Sequence, residues 1–257
     1  VKFYKAAQGK GIKPVFGSDL VVRDGEQLFE VTVLVMNEQG YRNLIRVISD
    51  AYIHGQEMGD AIVALELLRK HADGLIVLLG RRSDIGQTLL GSDEQTAPDH
   101  LAKWMQHFPQ RVYLELTRTG RDGDEDFLHA AMALGEQLQC PVVATNDVRF
   151  LVQDDFEAHE VRVCIAQSYA LDDPRRPRDY SSEQYLKTPE QMAELFSDIP
   201  EALENTLEIA RRCTLDITLG KNYLPNYPVP EGMTMDEYFI RYSRDCLEER
   251  LSVLLDS

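Results

Sequence analysis

The chain has 257 residues, 44% of them hydrophobic, and its 43 acidic and 27 basic residues give a formal net charge of -16. This composition excludes a disordered tail, and no stretch approaches the roughly 18 apolar residues of a membrane-spanning helix. The negative charge excludes a surface that holds a nucleic-acid backbone unaided. We therefore expect no membrane association, and DNA contacts only through other domains or other chains.

The amino-terminal stretch "VKFYKAAQGKGIKP" has neither Met nor a basic and apolar leader. We expect no signal peptide, an amphipathic helix that ends near Gly9 or Gly11, and a further segment before Val1. The four cysteines are widely spaced without a CxxC pair, so neither a disulfide framework nor a zinc site is predicted. A reducing, cytoplasmic location follows.

Along the chain, short β-branched runs alternate with longer stretches of helical periodicity, which is typical of parallel strands joined by crossover helices. The predicted strands are 13–22, 29–36, 74–80, 111–117 and 140–145. The predicted helices between them are 37–50, 60–71, 98–107 and 124–138. The fold class is therefore α/β, with a barrel-like alternation.

After about residue 170 the pattern changes. "LDDPRRPRDYSSEQ" predicts an irregular connection, and helical segments follow it up to a last helix at about 234–255. We accordingly predict two domains, 1–170 and 171–257, the second a mainly helical extension.

Chemistry-bearing motifs are scarce. The sequence lacks a P-loop, a GxSxG elbow, an HExxH pair and a Gly-rich dinucleotide turn. In "DDFEAHEVRVCI", His159 has four acidic neighbours, which is compatible with a metal cluster. A solvent-facing helix commonly carries such charges, and we interpret the stretch as that.

Several longer phrases carry a resemblance to a known family: "GIKPVFGSDL", "NEQGYRNLIRVIS", "VYLELTRTGR", "PVVATNDVRFL", "DFEAHEVRVCIA", "YLKTPEQMAELFSDIPEALENTLEIARRC" and "YLPNYPVPEG". In order, they resemble the amino-terminal PHP (polymerase and histidinol phosphatase) domain of proteobacterial-type DNA polymerase III alpha subunits. The resemblance implies a distorted, TIM-like βα barrel, incomplete at its amino terminus, whose extension leads toward a polymerase body. The family's first metal motifs, His-x-His and Asp-His, would lie upstream of Val1.

The resemblance also implies which positions correspond to the family's metal ligands. The family's Gly-Cys-Glu appears as Gly17, Ser18 and Asp19, and Glu30 stands where the family often has His. Its Ser-Gly-Cys corresponds to Leu79, Gly80 and Arg81, and a His before a glycine becomes Thr119. Its Asn-Asp-x-His becomes Asn146, Asp147, Val148 and Arg149. These matches define a degenerate metal cleft of Asp19, Glu30, Arg81, Thr119, Asp147 and Arg149.

Arginine cannot replace a metal ligand, because it has no lone pair to give and stays protonated. A guanidinium can instead stand among leftover carboxylates as a fixed cation. We expect Arg149 or Arg81 to replace the ions beside Asp19, Glu30 or Asp147, unless both arginines simply reach solvent. Arg121 is expected to be an ordinary exposed arginine.

We therefore expect no catalytic residue, metal or cofactor within these residues. The favoured function is a catalytically inactive PHP domain of a DNA-directed DNA polymerase, a scaffold within the replicative holoenzyme that docks the epsilon proofreading exonuclease. The first alternative is a residual metal-dependent phosphoesterase, either a 3'-5' exonuclease or a pyrophosphatase. The second alternative is a freestanding enzyme of the histidinol-phosphatase type.

Overall fold

The computed structural model describes residues 1–57, 59–91, 94–222 and 227–255. Its strands are β1 (Gly17–Asp24), β2 (Gln27–Val35), β3 (Gln56–Glu57), β4 (Asp60–Ala64), β5 (Leu75–Leu79), β6 (Val112–Thr117) and β7 (Val142–Thr145). Its α-helices are α1 (Lys2–Gly9), α2 (Glu38–His54), α3 (Leu65–Lys70), α4 (Asp84–Leu89), α5 (Ala97–His107), α6 (Asp124–Leu138), α7 (Phe156–Gln167), α8 (Pro189–Leu195), α9 (Pro200–Arg212) and α10 (Met235–Leu255).

The described strands form one mixed sheet in the order β3-β4-β1-β2-β5-β6-β7. Strands β5, β6 and β7 are parallel, as predicted, but β1 and β2 form an antiparallel hairpin, and β2 is also antiparallel to β5. The prediction of parallel strands throughout was therefore wrong for the first part of the chain. The two residues between Asp24 and its partner Gln27 include Gly25 at φ +59, and a glycine there supports a tight hairpin turn.

The predicted helix at 60–71 is in fact a strand followed by a short helix. Residues 60–64 form β4, which pairs with β1 through Ile62 and Val63, and α3 begins only at Leu65. The β-branched side chains of Ile62 and Val63 suit a pleated, half-buried surface. A continuous apolar run of this length does not distinguish strand from helix by its periodicity.

The two faces of the sheet have different environments. One face packs against helices α2 to α6 in the main hydrophobic core, which includes Val22, Val33, Leu114 and Trp104. The opposite face carries the alternate side chains of the same strands, and α9 covers part of it through Ile209. The uncovered part of this second face is open to a cleft.

Close packing divides the chain into two units, residues 1–216 and 217–257. This division differs from the predicted boundary near residue 170, because α9 packs against β7 and the Asn205 amide donates a 2.8 Å hydrogen bond to the Val142 carbonyl. The first unit therefore includes α8 and α9, and the second contains α10. No helix in the described part of the chain is long and apolar enough to span a membrane.

Candidate functional site

A cleft of about 1450 Å³ lies over the open face of the sheet. Arg81, Thr119 and Asp147 each stand two residues beyond the last residue of β5, β6 and β7, respectively. Because the carboxyl ends of parallel strands meet at one edge of a sheet, these three positions lie together, where open α/β sheets commonly bind ligands. Of the six predicted site residues, all but Thr119 line the cleft, and Thr119 is fully buried behind it.

Asp147 is the most heavily bonded carboxylate of the cleft. Its Oδ1 lies 2.6 Å from an Arg149 guanidinium nitrogen, and its Oδ2 accepts hydrogen bonds from Arg121 at 3.1 Å and from the Gln184 amide at 2.8 Å. Its backbone has a left-handed φ of +42, which is uncommon for a residue with a side chain. The Asp147 carboxylate is therefore bonded by two arginine side chains and one amide.

The expectation that Arg121 is exposed was wrong. Its side chain is mostly buried, and in addition to Asp147 its Nε donates a 2.8 Å hydrogen bond to Thr119 Oγ1. Arg121 lies 26 residues before Asp147 in the sequence, so only the folding of the two loops onto each other reveals the pair. Arg121 is the second arginine, after Arg149, that bonds the Asp147 carboxylate.

Arg81 does not approach Asp19, Glu30 or Asp147. Its guanidinium lies 3.8 Å from Oδ1 of Asp124, the buried first residue of α6. Asp124 Oδ2 accepts hydrogen bonds from the backbone N–H and the hydroxyl of Thr119, at 2.9 and 2.7 Å. Thr119 thus links the carboxylate of Asp124 to the guanidinium of Arg121.

Asp19 and Glu30 stand apart from this network, on β1 and β2. Thr32 donates a 2.6 Å hydrogen bond to Asp19, and Arg82 lies 3.1 Å from Glu30. Glu30 therefore has an arginine partner that the sequence did not indicate, and Asp19 has a neutral one. Neither Thr32 nor Arg82 bonds Asp147, whose partners among the described residues include Arg149, Arg121 and Gln184.

Sequence reasoning missed Glu115, which lies on the floor of the cleft in β6. The Thr145 hydroxyl donates a 2.7 Å hydrogen bond to its Oε1. Burial, reinforced by the negative charges of Asp147 and Asp19, raises the pKa of the Glu115 carboxyl above its ordinary value. A Cβ at Gly80 would lie 2.8 Å from Glu115 Oε2, so the glycine leaves room for this carboxyl. The alternation in "VYLELT" could have revealed Glu115, because it sits on the opposite face from the core residues Leu114 and Leu116.

Residues 180–187, called the strap below, hold the segment that follows β7. The Asn146 amide donates to the carbonyls of Glu183 and Tyr185 at 2.9 and 2.8 Å, and the Arg149 N–H donates to the Gln184 carbonyl at 2.8 Å. Gln184 is fully buried and also donates to the Asp147 carboxylate. The strap therefore holds Asp147 and Arg149 in place, although it lies more than 30 residues further along the chain.

The expectation that His159 and its acidic neighbours face solvent was wrong for His159 and Glu160, both of which are buried on α7. Glu160 forms an ion pair with Arg176, and the His159 ring packs against Tyr180 and Phe150. Both side chains point into the protein because the aromatic rings and Arg176 lie there. The acidic residues next to them in the sequence give no sign of this orientation. Within the described residues, no group of three or more His, Cys, Asp or Glu side chains is positioned to hold a metal ion.

Comparison with known proteins shows which family the sequence matches. Residues 1–119 match the sequence profile of the PHP domain. The chain contains a PHP domain. Its residues are 53% identical over 259 positions to the DNA polymerase III subunit alpha of Pseudomonas fluorescens, 51% identical to that of Pseudomonas aeruginosa, and 46% identical over 258 positions to that of Escherichia coli K12.

Each of these matches covers 99% of this chain but 22% of the relative, so the chain spans about a fifth of the length of the curated relatives it matches. The metal cluster that the PHP family implies does not fit the residues present in the cleft. Arg149 and Arg121 bond the Asp147 carboxylate, and a guanidinium offers donors only.

Proposed function

We propose that this PHP domain belongs to a replicative DNA polymerase III alpha chain, is itself catalytically inactive, and serves as a scaffold that docks the epsilon proofreading exonuclease. The names of its relatives support the first part of this proposal. They also favour it over a freestanding phosphatase. In this proposal the mixed sheet is part of a distorted, incomplete βα barrel, and polymerase chemistry lies in other domains of the longer chain.

The observation that carries the proposal is the pairing of Asp147 with two guanidinium groups. Arg149 and Arg121 supply positive charge at 2.6 and 3.1 Å, where a nuclease of this family would need ions. Bonds of this kind are charge-assisted and geometrically specific, so they preserve the shape of the cleft without its chemistry. A domain whose cleft keeps its shape while arginines bond its Asp147 carboxylate is suited to a structural role.

The docking role follows from a division of labour. A polymerase domain that lacks its own nuclease centre can position a proofreading nuclease supplied by a separate chain. The formal charge of -16 is consistent with this role, because binding a protein partner requires no phosphate-binding surface.

A binding experiment with two arms tests the docking role. Purified epsilon exonuclease is titrated against the full-length polymerase chain and against this 257-residue chain, whose folding is checked by circular dichroism. We expect both to bind epsilon with similar affinity. Normal binding by the full-length chain and none by the folded domain would overturn the docking role.

A second measurement addresses the phosphoesterase alternative. Phosphate release from pyrophosphate, and nucleotide release from single-stranded DNA, are assayed on the full-length protein with added manganese or zinc. The Asp147→Asn variant serves as the control, because asparagine keeps the size of the side chain and removes its charge. We expect no release above that of the variant, and activity lost specifically in the variant would contradict the proposed inactivity.

A further inference from the structure

His159 lies at the junction between the strap and the segment after β7. It is buried, and its ring meets the Tyr180 ring edge-on with centroids 4.7 Å apart. The centroid of the Phe150 ring also lies 5.5 Å from that of His159. Phe150 directly follows Arg149, and Tyr180 is the first residue of the strap. The His159 ring therefore packs against both segments that hold the cleft in shape.

The hydrogen bonding of His159 fixes its tautomer. A guanidinium nitrogen of Arg162 lies 3.1 Å from His159 Nδ1. Because a guanidinium has only donors, Nδ1 must accept this bond, and the neutral ring carries its proton on Nε2. Nε2 is buried without a hydrogen-bond partner among the described residues. A second proton on the ring would turn Nδ1 into a donor that faces another donor.

The charges around the ring also oppose protonation. Arg162 contacts it from α7, and Arg149, which is bonded to Asp147, adds positive charge from the segment after β7. The nearby carboxylate of Glu160 favours protonation, but it is engaged in a buried ion pair with Arg176.

From the strap, the Tyr180 ring packs against the His159 ring at an interplanar angle of 83°. Burial first, and then the charge of Arg162, lower the pKa of His159 below its ordinary value.

We propose that His159 is an acid-sensitive latch: its neutral ring packs the strap against residues 146–150, and its protonation releases the strap. Release would free Gln184 from Asp147, and the arginine network of the cleft would lose its support on that side. This device is independent of the docking role proposed above.

The direction of the pH effect follows from the lowered pKa. In the unfolded chain His159 titrates near its ordinary value of about 6.5. The folded form binds a proton less readily, so the stabilisation by the neutral ring is present above that value and is lost as the pH falls below it.

Hydrogen–deuterium exchange of the full chain tests the latch, measured by mass spectrometry at about pH 7.5 and about pH 5.5, the range in which histidine changes its charge. After correction for intrinsic exchange rates, we expect protection of residues 180–187 to fall by up to about tenfold at the lower pH, because pH 5.5 lies about one pH unit below the ordinary histidine pKa of about 6.5. The variant His159→Gln should lose this pH response. The control variant His129→Gln should keep it, because His129 is an exposed residue on α6.

An unchanged protection of the strap in the natural sequence, or an equal pH response in His159→Gln, would overturn the latch. If His159→Gln does not fold, nitrogen-15 NMR of the ring in the unsubstituted chain decides instead. A proton on Nε2 and a pKa below about 6.5 support the proposal. A proton on Nδ1, or a pKa at or above that value, overturns it.

Discussion

Removal of the Arg149 side chain gives the sharpest test of the idea that arginines have replaced ions. The variant Arg149→Ala deletes the guanidinium that lies 2.6 Å from Asp147 and 5.7 Å from the centre of the Tyr180 ring. The backbone hydrogen bond from Arg149 to Gln184 remains. The substitution therefore removes the charge pair and the ring contact while it keeps the main-chain attachment of the strap.

The expected loss can be bounded from the burial of the pair. The side chains of Arg149 and Asp147 are 28% and 20% exposed, so both are largely shielded from water. Breaking one charged hydrogen bond in such a setting costs about 1 to 3 kcal/mol. Asp147 keeps Arg121 and Gln184 as partners, which limits the loss, and we expect about 2 kcal/mol in the free energy of unfolding.

Arg42→Ala is a matched control. Arg42 lies 2.6 Å from Glu38, the same distance as in the Arg149 pair, but the two side chains are 70% and 72% exposed. An exposed pair contributes about 0.5 kcal/mol or less. Urea denaturation of the three proteins at neutral pH measures the difference, and a loss in Arg149→Ala no larger than that in Arg42→Ala would refute the reasoning.

Three further predictions follow from the same site. A strong chelator should leave the melting temperature unchanged, as measured by calorimetry, because no metal is coupled to folding; a clear decrease would reveal a bound ion. The single variant Arg149→His should bind no zinc by elemental analysis, because Arg121 still occupies the Asp147 carboxylate, and stoichiometric zinc would contradict this. Because the pKa of Glu115 is raised, its contribution to stability is present below the unfolded value of about 4.3 and is lost as the pH rises through the folded value. Glu115→Gln should therefore stabilise the chain more near neutral pH than near pH 4, in urea denaturation, and an effect independent of pH would contradict the raised pKa.

Sequence reasoning predicted the strands that carry the site more reliably than the partners within it. Strands β5, β6 and β7 are short, buried, mostly apolar runs bounded by turns. Such runs can be recognised from the local sequence alone. The hairpin of β1 and β2 could have been predicted from Asp24 and Gly25, because an Asp-Gly pair between two strand-like runs is a hairpin signal.

The partners within the site depend on contacts between distant segments. The proximity of Asp147 and Arg149 could be anticipated because they are two residues apart. The roles of Arg121 and Gln184 could not, since each depends on how a loop folds back over the strand ends. The burial of His159 was mispredicted for the same reason, because its hydrophobic neighbour Tyr180 is 21 residues away and no local pattern reports the contact.

The left-handed backbone of Asp147 limits which amino acids this position can accept. Only glycine adopts this region freely, while asparagine and aspartate tolerate it better than other residues. A β-branched residue at 147 would combine loss of the carboxylate with backbone strain, so its phenotype would mix two unrelated causes. Asparagine changes the charge alone, whereas glycine also relieves the strain. The pair of variants Asp147→Asn and Asp147→Gly thus separates the electrostatic from the conformational contribution of a single residue.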